Sequence, residues 1–159
     1  MKTSQQIGKD FEKTLEGVFS SLKNTHSFNY HKFVDTHAAG NIVAAQPSDY
    51  LVGIHRTLIF LEAKSSTKEK RLQKSMLRPS QRGAIKYYGM GLDLDYLVLF
   101  EHEGRVDILD GREVMRGSRI NYQKSLIKSC RTEDLKLELI KLLGLQLKIK
   151  LLERIESYD

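Results

Sequence analysis

The sequence predicts an α/β (α+β) protein in which a central β-sheet is flanked by helices. Two apolar runs within residues 47–64 have the composition of paired strands, and helical patterns precede them, follow them and end the chain. Both faces of these runs are apolar, which places them in the middle of the sheet rather than at an edge. A chain of 159 residues is long enough to bury the core of one such domain.

The first predicted element is a helix from Ser4 to about Lys23, with Ser4 as its N-cap. Its apolar side chains recur at helical spacing and form one stripe, which consists of Ile7, Phe11, Leu15, Val18, Phe19 and Leu22. Glu12 lies just outside that stripe, and Gly8, one turn earlier, would allow close backbone approach. A glutamate at this position is either solvated or held at the rim of the sheet on which the helix packs.

A strand-like stretch, residues 28–34, follows the helix, with Phe28, Tyr30 and Lys32 on one side. Residues 35–46 are small and polar and indicate a connection. Pro47 marks the start of the next strand, because proline cannot donate to a sheet ladder.

The register of the next two strands follows from the turn that joins them. With residues 55 and 56 in the turn, Ile54 faces Thr57, and further along Asp49 lies opposite Glu62. Opposed residues of an antiparallel pair have Cβ atoms ~4.5–5.5 Å apart. Lys64 is two residues beyond Glu62 and projects from the same face. The register therefore brings two acids and a lysine together at the open end of the hairpin.

Residues 65–78 show no periodicity and are predicted to form a mobile loop that a ligand would order. A helix is expected to begin at Pro79-Ser80, with Ser80 as its N-cap, and to run to about Gly89.

Two further strands are expected at residues 95–101 and 105–109, joined by a turn at 102–104. Residues 111–117 are a candidate short helix, and the pattern of residues 120–129 is ambiguous.

The chain ends in a predicted long helix from Thr132 to about Ser157 with two apolar faces. One face consists of Leu135, Leu139, Leu142, Leu145, Ile149 and Leu152, and the other of Leu137, Ile140, Leu143, Leu147, Leu151 and Ile155. One face can cover the chain's own sheet, and a partner subunit is the simplest cover for the other. A helix break at Gly144 is the competing interpretation. We therefore expect a single domain, with a core at residues 1–130 and a candidate dimerisation helix at 131–159.

The net charge of +6 is concentrated in one segment, residues 64–82. Against one acid, Glu69, this segment has seven basic residues, namely Lys64, Lys68, Lys70, Arg71, Lys74, Arg78 and Arg82. A basic run is usually a solvated face. One that adjoins a carboxylate cluster suggests instead that the partner is a polyanion whose phosphates need to be held.

Other features exclude several classes of protein. No apolar run approaches the ~20 residues that span a bilayer, and the polar N-terminus gives no sign of a secretory signal. Cys130 is the only cysteine, so an intrachain disulfide and a cysteine-cluster zinc site are both excluded, and the thiol is expected to be a small, partly buried filler. We expect a cytoplasmic protein without membrane contact.

The open end of the hairpin has the chemistry of a divalent-cation site. Asp49, Glu62 and the Ala63 carbonyl are hard oxygen donors, which suit Mg²⁺, with Mn²⁺ as a substitute. Lys64 would orient or deprotonate an attacking water or stabilise the charge that develops on a phosphate. These roles predict metal-assisted hydrolysis of a phosphodiester. A structural cross-strand salt-bridge cluster is the alternative interpretation of the same residues.

The pattern resembles the PD-(D/E)XK nuclease superfamily, with Pro47-Ser48-Asp49 as the first half of the motif and Glu62-Ala63-Lys64 as the second. Within that superfamily it is most similar to Holliday junction resolvases of the RecU and Hjc type. The similar stretches are Gly8-Lys9-Asp10-Phe11-Glu12, Ser48-Asp49-Tyr50 continuing to Gly53, Phe60 to Lys64, and Ser80-Gln81. RecU-type enzymes have a longer insertion before the aspartate motif, and the leucine-rich terminal helix has no counterpart that we can identify.

The resemblance implies a restriction-endonuclease-like core with a mixed sheet, and it implies a role for each matching residue. Asp49 and Glu62 would bind the metal, Lys64 would act in catalysis, and Glu12 would support the metal site. Gln81 would position a ligand or a substrate phosphate, although capping of its own helix is an equal alternative. The candidate DNA-contacting residues are Lys32, Lys68, Lys70, Arg71, Lys74, Arg78 and Arg82.

The leading hypothesis is accordingly a Mg²⁺-dependent, structure-selective endonuclease that resolves four-way DNA junctions as a homodimer. A restriction-type or other PD-(D/E)XK endonuclease would use the same site on linear duplex. A non-catalytic DNA-binding module is the alternative from another class, and in it the charged triplet would be structural.

Overall fold

The computed structural model describes residues 3–25, 27–33, 46–54 and 57–144. The strands are β1 (Phe28–Lys32), β2 (Tyr50–Ile54), β3 (Thr57–Ser66), β4 (Asp95–His102), β5 (Arg105–Asp110) and β6 (Leu126–Arg131). The helices are α1 (Ser4–Thr25), α2 (Pro79–Ala84), which continues as a π-helix (Ile85–Gly91), α3 (Gly111–Met115), α4 (Tyr122–Ser125) and α5 (135–144). Short 3₁₀ turns lie at Lys74–Met76 and Thr132–Asp134.

The six strands form one sheet in sequence order, from β1 to β6. Among the strands that the structure describes, β3 and β4 pair in parallel and each other neighbouring pair is antiparallel. Helices cover both faces of this sheet. The predicted class, a mixed central sheet flanked by helices, is confirmed.

The first face of the sheet is covered by α1 and α5. The stripe predicted for α1 is buried there, with Phe11, Leu15, Phe19 and Leu22 each at most 4% exposed. The Ser4 N-cap prediction is wrong, because Ser4 is already helical and the Gln6 N–H donates to Thr3 Oγ1 at 3.2 Å. Threonine has the same capping chemistry one residue earlier.

The second face is covered by α2, the π-helix, α3 and the segment that leads into them. Its core includes Leu72 and Leu77, which are 2% and 0% exposed. The prediction of a mobile loop for residues 65–78 is therefore wrong. Two leucines five positions apart anchor the segment, and this spacing has neither helical nor strand periodicity.

The hairpin register is confirmed by the strand pairs. Ile54 faces Thr57 and the ladder continues to Tyr50 opposite Leu61, although the turn at residues 55 and 56 lies outside the described residues. Both strands lie inside the sheet, as expected. Beyond Leu61, β3 continues to Ser66 while paired with β4. At the open end of the hairpin, β3 therefore extends beyond the start of β2.

The C-terminal part differs from the expectation in two respects. The ambiguous stretch contains α4 and the edge strand β6, in which Cys130 is buried, as expected. In α5, Leu143 is buried with Leu135 and Leu139, although we had assigned it to the opposite face, whereas Leu137 is 54% exposed.

The connection at 35–45 and the predicted helix beyond residue 144 lie outside the described residues. None of the helices within the described ranges is long and apolar enough to span a membrane.

Candidate active site

Asp49 and Ala63 meet at the end of the β2–β3 ladder. The Asp49 carbonyl accepts a hydrogen bond from the Phe33 N–H at 2.9 Å, so the backbone there faces β1. The Asp49 carboxylate turns the other way, and its Oδ2 accepts from the Ala63 N–H at 2.8 Å. The N–H and C=O of a strand residue point to the same side. The Ala63 carbonyl therefore faces the side on which the Asp49 carboxylate lies, so two of the predicted oxygen donors share one edge of β3.

Glu62 contributes a carboxylate that is almost completely buried, with a side chain 1% exposed. Its Oε1 accepts from Lys64 Nζ at 3.1 Å and from Gln81 Nε2. Its Oε2 is also buried and has no hydrogen-bond partner among the described residues. Burial raises the pKa of Glu62 to about 8, with a further increase from the Asp49 charge that Lys64 only partly offsets. One oxygen of this acid is thus held and the other is left unsatisfied.

These donors fit a divalent cation. A buried carboxylate oxygen without a partner destabilises a protein, and an ion beside Glu62 Oε2 would remove that deficit. Asp49, Glu62 and the Ala63 carbonyl supply only oxygen, which Mg²⁺ and Mn²⁺ prefer. Within the part of the chain that the structure describes, no group of three or more His, Cys, Asp or Glu residues could hold a metal. A cation would therefore have two carboxylates, one carbonyl and water as ligands.

Glu12 forms an ion pair with Lys32, and its predicted support of the metal site stays a prediction. Glu12 lies on α1, which packs on the first face of the sheet, whereas Glu62 projects from the second. Glu12 Oε2 and Glu16 Oε1 are 3.0 Å and 2.5 Å from Lys32 Nζ. Burial alone would lower the pKa of Lys32, but the hydrogen bonds to Glu16 and Glu12 raise it above its ordinary value. Lys32 thus pairs with two acids of α1, and its predicted contact with DNA stays a prediction.

Gln81 is brought to the site by the start of α2. It is 5% exposed, its Nε2 donates to Glu62 Oε1, and its Oε1 accepts from the Arg78 N–H at 2.9 Å. Helix capping, one of the two expected roles, is therefore observed, and the side chain also contacts Glu62; positioning of a ligand or substrate phosphate stays a prediction. The Ser80 N-cap prediction is wrong, since Arg78 is the N-cap and Pro79 occupies the first helical position.

Tyr96 is a residue of the site that we did not predict. It lies opposite Phe60 in the β3–β4 pair, and its hydroxyl donates to the Pro47 carbonyl at 2.6 Å. Burial raises the pKa of Tyr96, and the charges of Glu62 and Asp49 raise it further, which keeps the hydroxyl a donor. The sequence contains no signal for this contact, which joins two residues 49 positions apart.

Two of the predicted DNA-contacting residues also make hydrogen bonds within the protein. Lys74 Nζ donates to the Met115 carbonyl at 3.2 Å and to the Gly117 carbonyl, so its ammonium group ties the basic segment to α3. Arg82 Nη1 donates to the Lys74 carbonyl at 3.3 Å.

The remaining basic side chains of the segment, Lys68, Lys70, Arg71 and Arg78, are exposed. Lys70 pairs with Glu103 at 3.3 Å, and the Arg71 guanidinium lies 5.4 Å from the centroid of the Tyr122 ring. The Tyr122 hydroxyl in turn donates to Asp107 at 2.5 Å. Leu72 and Leu77 anchor this segment on the face of the sheet from which Glu62 projects.

No family model matches this sequence, and no curated protein is similar to it in sequence. Among solved structures, the chain is similar to the 1.6 Å structure of Hjc, a Holliday junction resolvase from the archaeal hyperthermophile Archaeoglobus fulgidus. The similarity covers 76% of this chain and 87% of that chain, with 16% sequence identity and a TM-score of 0.47. Hjc is one of the two resolvase types that the sequence motif resembles.

Proposed function

We propose that this protein is a metal-dependent DNA endonuclease that hydrolyses phosphodiesters with Mg²⁺ or Mn²⁺. The observation that carries the proposal is the buried Glu62 carboxylate, whose Oε2 has no partner among the described residues, beside Asp49 and Lys64. A purely structural salt-bridge cluster would satisfy both oxygens of a buried acid, because an unsatisfied one costs ~1–3 kcal/mol or more. An acid left in this state is typical of a functional site.

Each residue of the site has a distinct task in this mechanism. Asp49, Glu62 and the Ala63 carbonyl would hold the cation, which when bound supplies Lewis-acid stabilisation of charge on the scissile phosphate. Gln81 donates to Glu62 Oε1 and thereby leaves Oε2 available.

Lys64 shares Glu62 Oε1 with Gln81, and its side chain is 19% exposed. Its ammonium group is therefore near the carboxylates and still accessible to substrate. It stabilises negative charge that develops on the phosphate in the transition state.

We also propose DNA, and specifically the four-way junction, as the substrate. The exposed cations Lys68, Arg71 and Arg78 lie on the face of the site and provide contacts for a phosphate backbone. The sequence motif resembles junction resolvases, which makes the four-way junction the first substrate to test. A homodimer would present two sites related by a two-fold axis, as a four-way junction requires.

The decisive experiment offers labelled four-way junctions and linear duplexes of matching sequence to the purified protein with Mg²⁺. Asp49→Asn keeps an oxygen that can accept from the Ala63 N–H but removes the charge, and is expected to lose at least ~100-fold in cleavage rate. Glu133→Gln, at an acid with a 70% exposed side chain that lies outside the site, is the matched control and should cleave normally.

The outcomes separate the three hypotheses. Paired nicks confined to junctions support a resolvase, whereas site-specific cuts in linear duplex support a restriction-type enzyme. If the wild type and Asp49→Asn bind DNA equally and neither cuts with Mg²⁺ or Mn²⁺, the nuclease proposal is wrong. Light scattering on the same preparation tests the dimer, which a monomeric mass would contradict.

A further inference from the structure

Tyr87 is an exposed aromatic residue on the same side of the sheet as the candidate active site. It is 61% exposed, and its ring meets that of Tyr88 edge-on, with centroids 5.0 Å apart at 90°. Tyr88 packs on Phe60 at 4.9 Å. Phe60 lies two residues before Glu62 on β3 and projects from the same face. The exposed ring is therefore the outermost member of a packed series of rings.

This series leads towards the catalytic carboxylates. Phe60 stacks on Tyr96 at 5.8 Å, and Tyr96 bonds to Pro47, two residues before Asp49. Side chains two positions apart on a strand are ~7 Å apart. Together with the ring separations, this places the Tyr87 ring within ~17 Å of Glu62. A DNA strand cut at Glu62 would pass close to the ring.

Positive charge runs alongside the ring. Arg78, Arg82 and Lys86 recur every fourth residue and therefore follow one row of the helical segment. Arg82 Nη1 donates to the Lys74 carbonyl at 3.3 Å, and burial, followed by the charges of Lys86 and Arg82, lowers the pKa of Lys74. A row of cations beside an exposed aromatic ring is the arrangement with which proteins hold a nucleic-acid strand, with phosphates on the cations and bases on the rings.

Space for a base is left at Gly83, about one turn before Tyr87. A Cβ added at Gly83 would meet no atom within 4 Å. Helical side chains lean towards the N-terminus and cover the preceding turn. At this turn the glycine has no side chain to occupy the surface, so a planar group has access beside the Tyr87 ring.

We propose that Tyr87 forms a subsite for an unpaired nucleobase, which stacks on its ring while phosphates of the same strand contact Arg82 and Lys86. This inference rests on the proposed function, because the DNA bound for cleavage supplies the base. An already unpaired base costs least to unstack, and in a four-way junction the branch point, where continuous stacking is interrupted, is the place at which a base can be exposed.

The test measures binding in EDTA, where no cleavage occurs, to a fully paired duplex, the same duplex with one unpaired base, and a four-way junction. Tyr87→Ala should bind the duplex with the unpaired base, and the junction with its branch point, roughly 5- to 150-fold more weakly, since base–aromatic stacking is worth ~1–3 kcal/mol. Its affinity for the paired duplex should stay unchanged. Tyr87→Phe retains the ring and should bind as the wild type does.

Two further variants make the result specific. Gly83→Leu is compatible with a helix but fills the space beside the ring, and should weaken the same two complexes. Leu92→Ala removes another apolar side chain, 52% exposed, and is expected to bind normally.

The proposal is overturned if Tyr87→Ala binds the unpaired base as tightly as the wild type, or if Tyr87→Phe loses as much as Tyr87→Ala. A changed oligomeric state of Tyr87→Ala with unchanged base binding would also overturn it, and would assign the patch to contact between two copies. These outcomes are independent of catalysis. If the wild type cuts DNA and Tyr87→Ala binds all three DNAs as tightly, only the subsite proposal is refuted. If binding depends on Tyr87 but the wild type does not cut DNA, only the nuclease proposal is refuted.

Discussion

Glu62→Gln is expected to inactivate the site and yet stabilise the protein near and above neutral pH. The amide keeps an oxygen for the Gln81 donor and removes a charge from a site that is 1% exposed. In the folded wild type, burial raises the pKa of Glu62 from 4.5 to about 8. The folded state therefore binds the Glu62 proton more tightly than the unfolded state does. That contribution to stability is complete below about pH 4.5 and is lost as the pH rises to about 8.

The magnitude follows from the two pKa values. Each tenfold difference in proton affinity corresponds to ~1.4 kcal/mol. Relative to the non-titrating glutamine variant, the wild type should lose ~3 kcal/mol of unfolding free energy between about pH 4.5 and pH 7, and ~5 kcal/mol in all above about pH 8.

Urea unfolding of both proteins in EDTA, at several pH values from about 4.5 to 8.5, measures this difference directly. Glu133→Gln serves as the exposed control, and its difference from the wild type should not vary with pH. Addition of Mg²⁺ should stabilise the wild type more than the variant, because a ligand stabilises the state that binds it. A difference between Glu62→Gln and the wild type that stays within about 1 kcal/mol over this range would refute the assignment of Glu62 as a destabilised buried acid.

Three other substitutions test the surroundings of the site. Gln81→Ala removes a bond to Glu62 and a helix cap, so it should lower the unfolding free energy by ~1–2 kcal/mol and cleavage at least ~10-fold, as measured by urea unfolding and nuclease assays. Leu72→Ala should destabilise by ~2–5 kcal/mol in urea, because this leucine is a core residue; a loss below ~1 kcal/mol would restore the mobile-loop prediction. Tyr96→Phe removes one buried hydrogen bond and should lower the unfolding free energy by ~1 kcal/mol, as measured by thermal unfolding. Unchanged stability would contradict this role of the hydroxyl.

The hairpin could be predicted from the sequence because two local rules determine it. A two-residue turn sets which residues face each other, and the period of two in a strand sets which side chains share a face. Asp49, Glu62 and Lys64 follow from these rules without any knowledge of the remaining fold. Gln81 could be predicted as a site residue only from the family resemblance, because the position of α2 on the sheet is what brings it to Glu62.

Contacts between distant elements could not be predicted in the same way. The pairing of Glu12 with Lys32 joins a helix to a strand across the chain's first turn, and charge alone does not select it. The burial of Leu72 depends on a surface built by α3 and β4, which no local pattern encodes. The edge strand β6 could not be predicted, because its exposed positions, Ile127 among them, break the alternation of apolar and polar residues that identifies a strand.

The Asp49–Ala63 hydrogen bond also has a consequence for how the sheet ends. Beyond its ladder with β2, β3 would expose the Ala63 N–H to any extended peptide if Asp49 did not accept its hydrogen bond. Unpaired strand edges of this kind promote aggregation. Asp49 closes that position with its own carboxylate. The acid proposed to bind metal therefore also protects this edge of the sheet. Asp49→Ala should lower the solubility of the protein together with its activity. Asp49→Asn should lose activity but keep its solubility, since asparagine retains an oxygen for the Ala63 N–H.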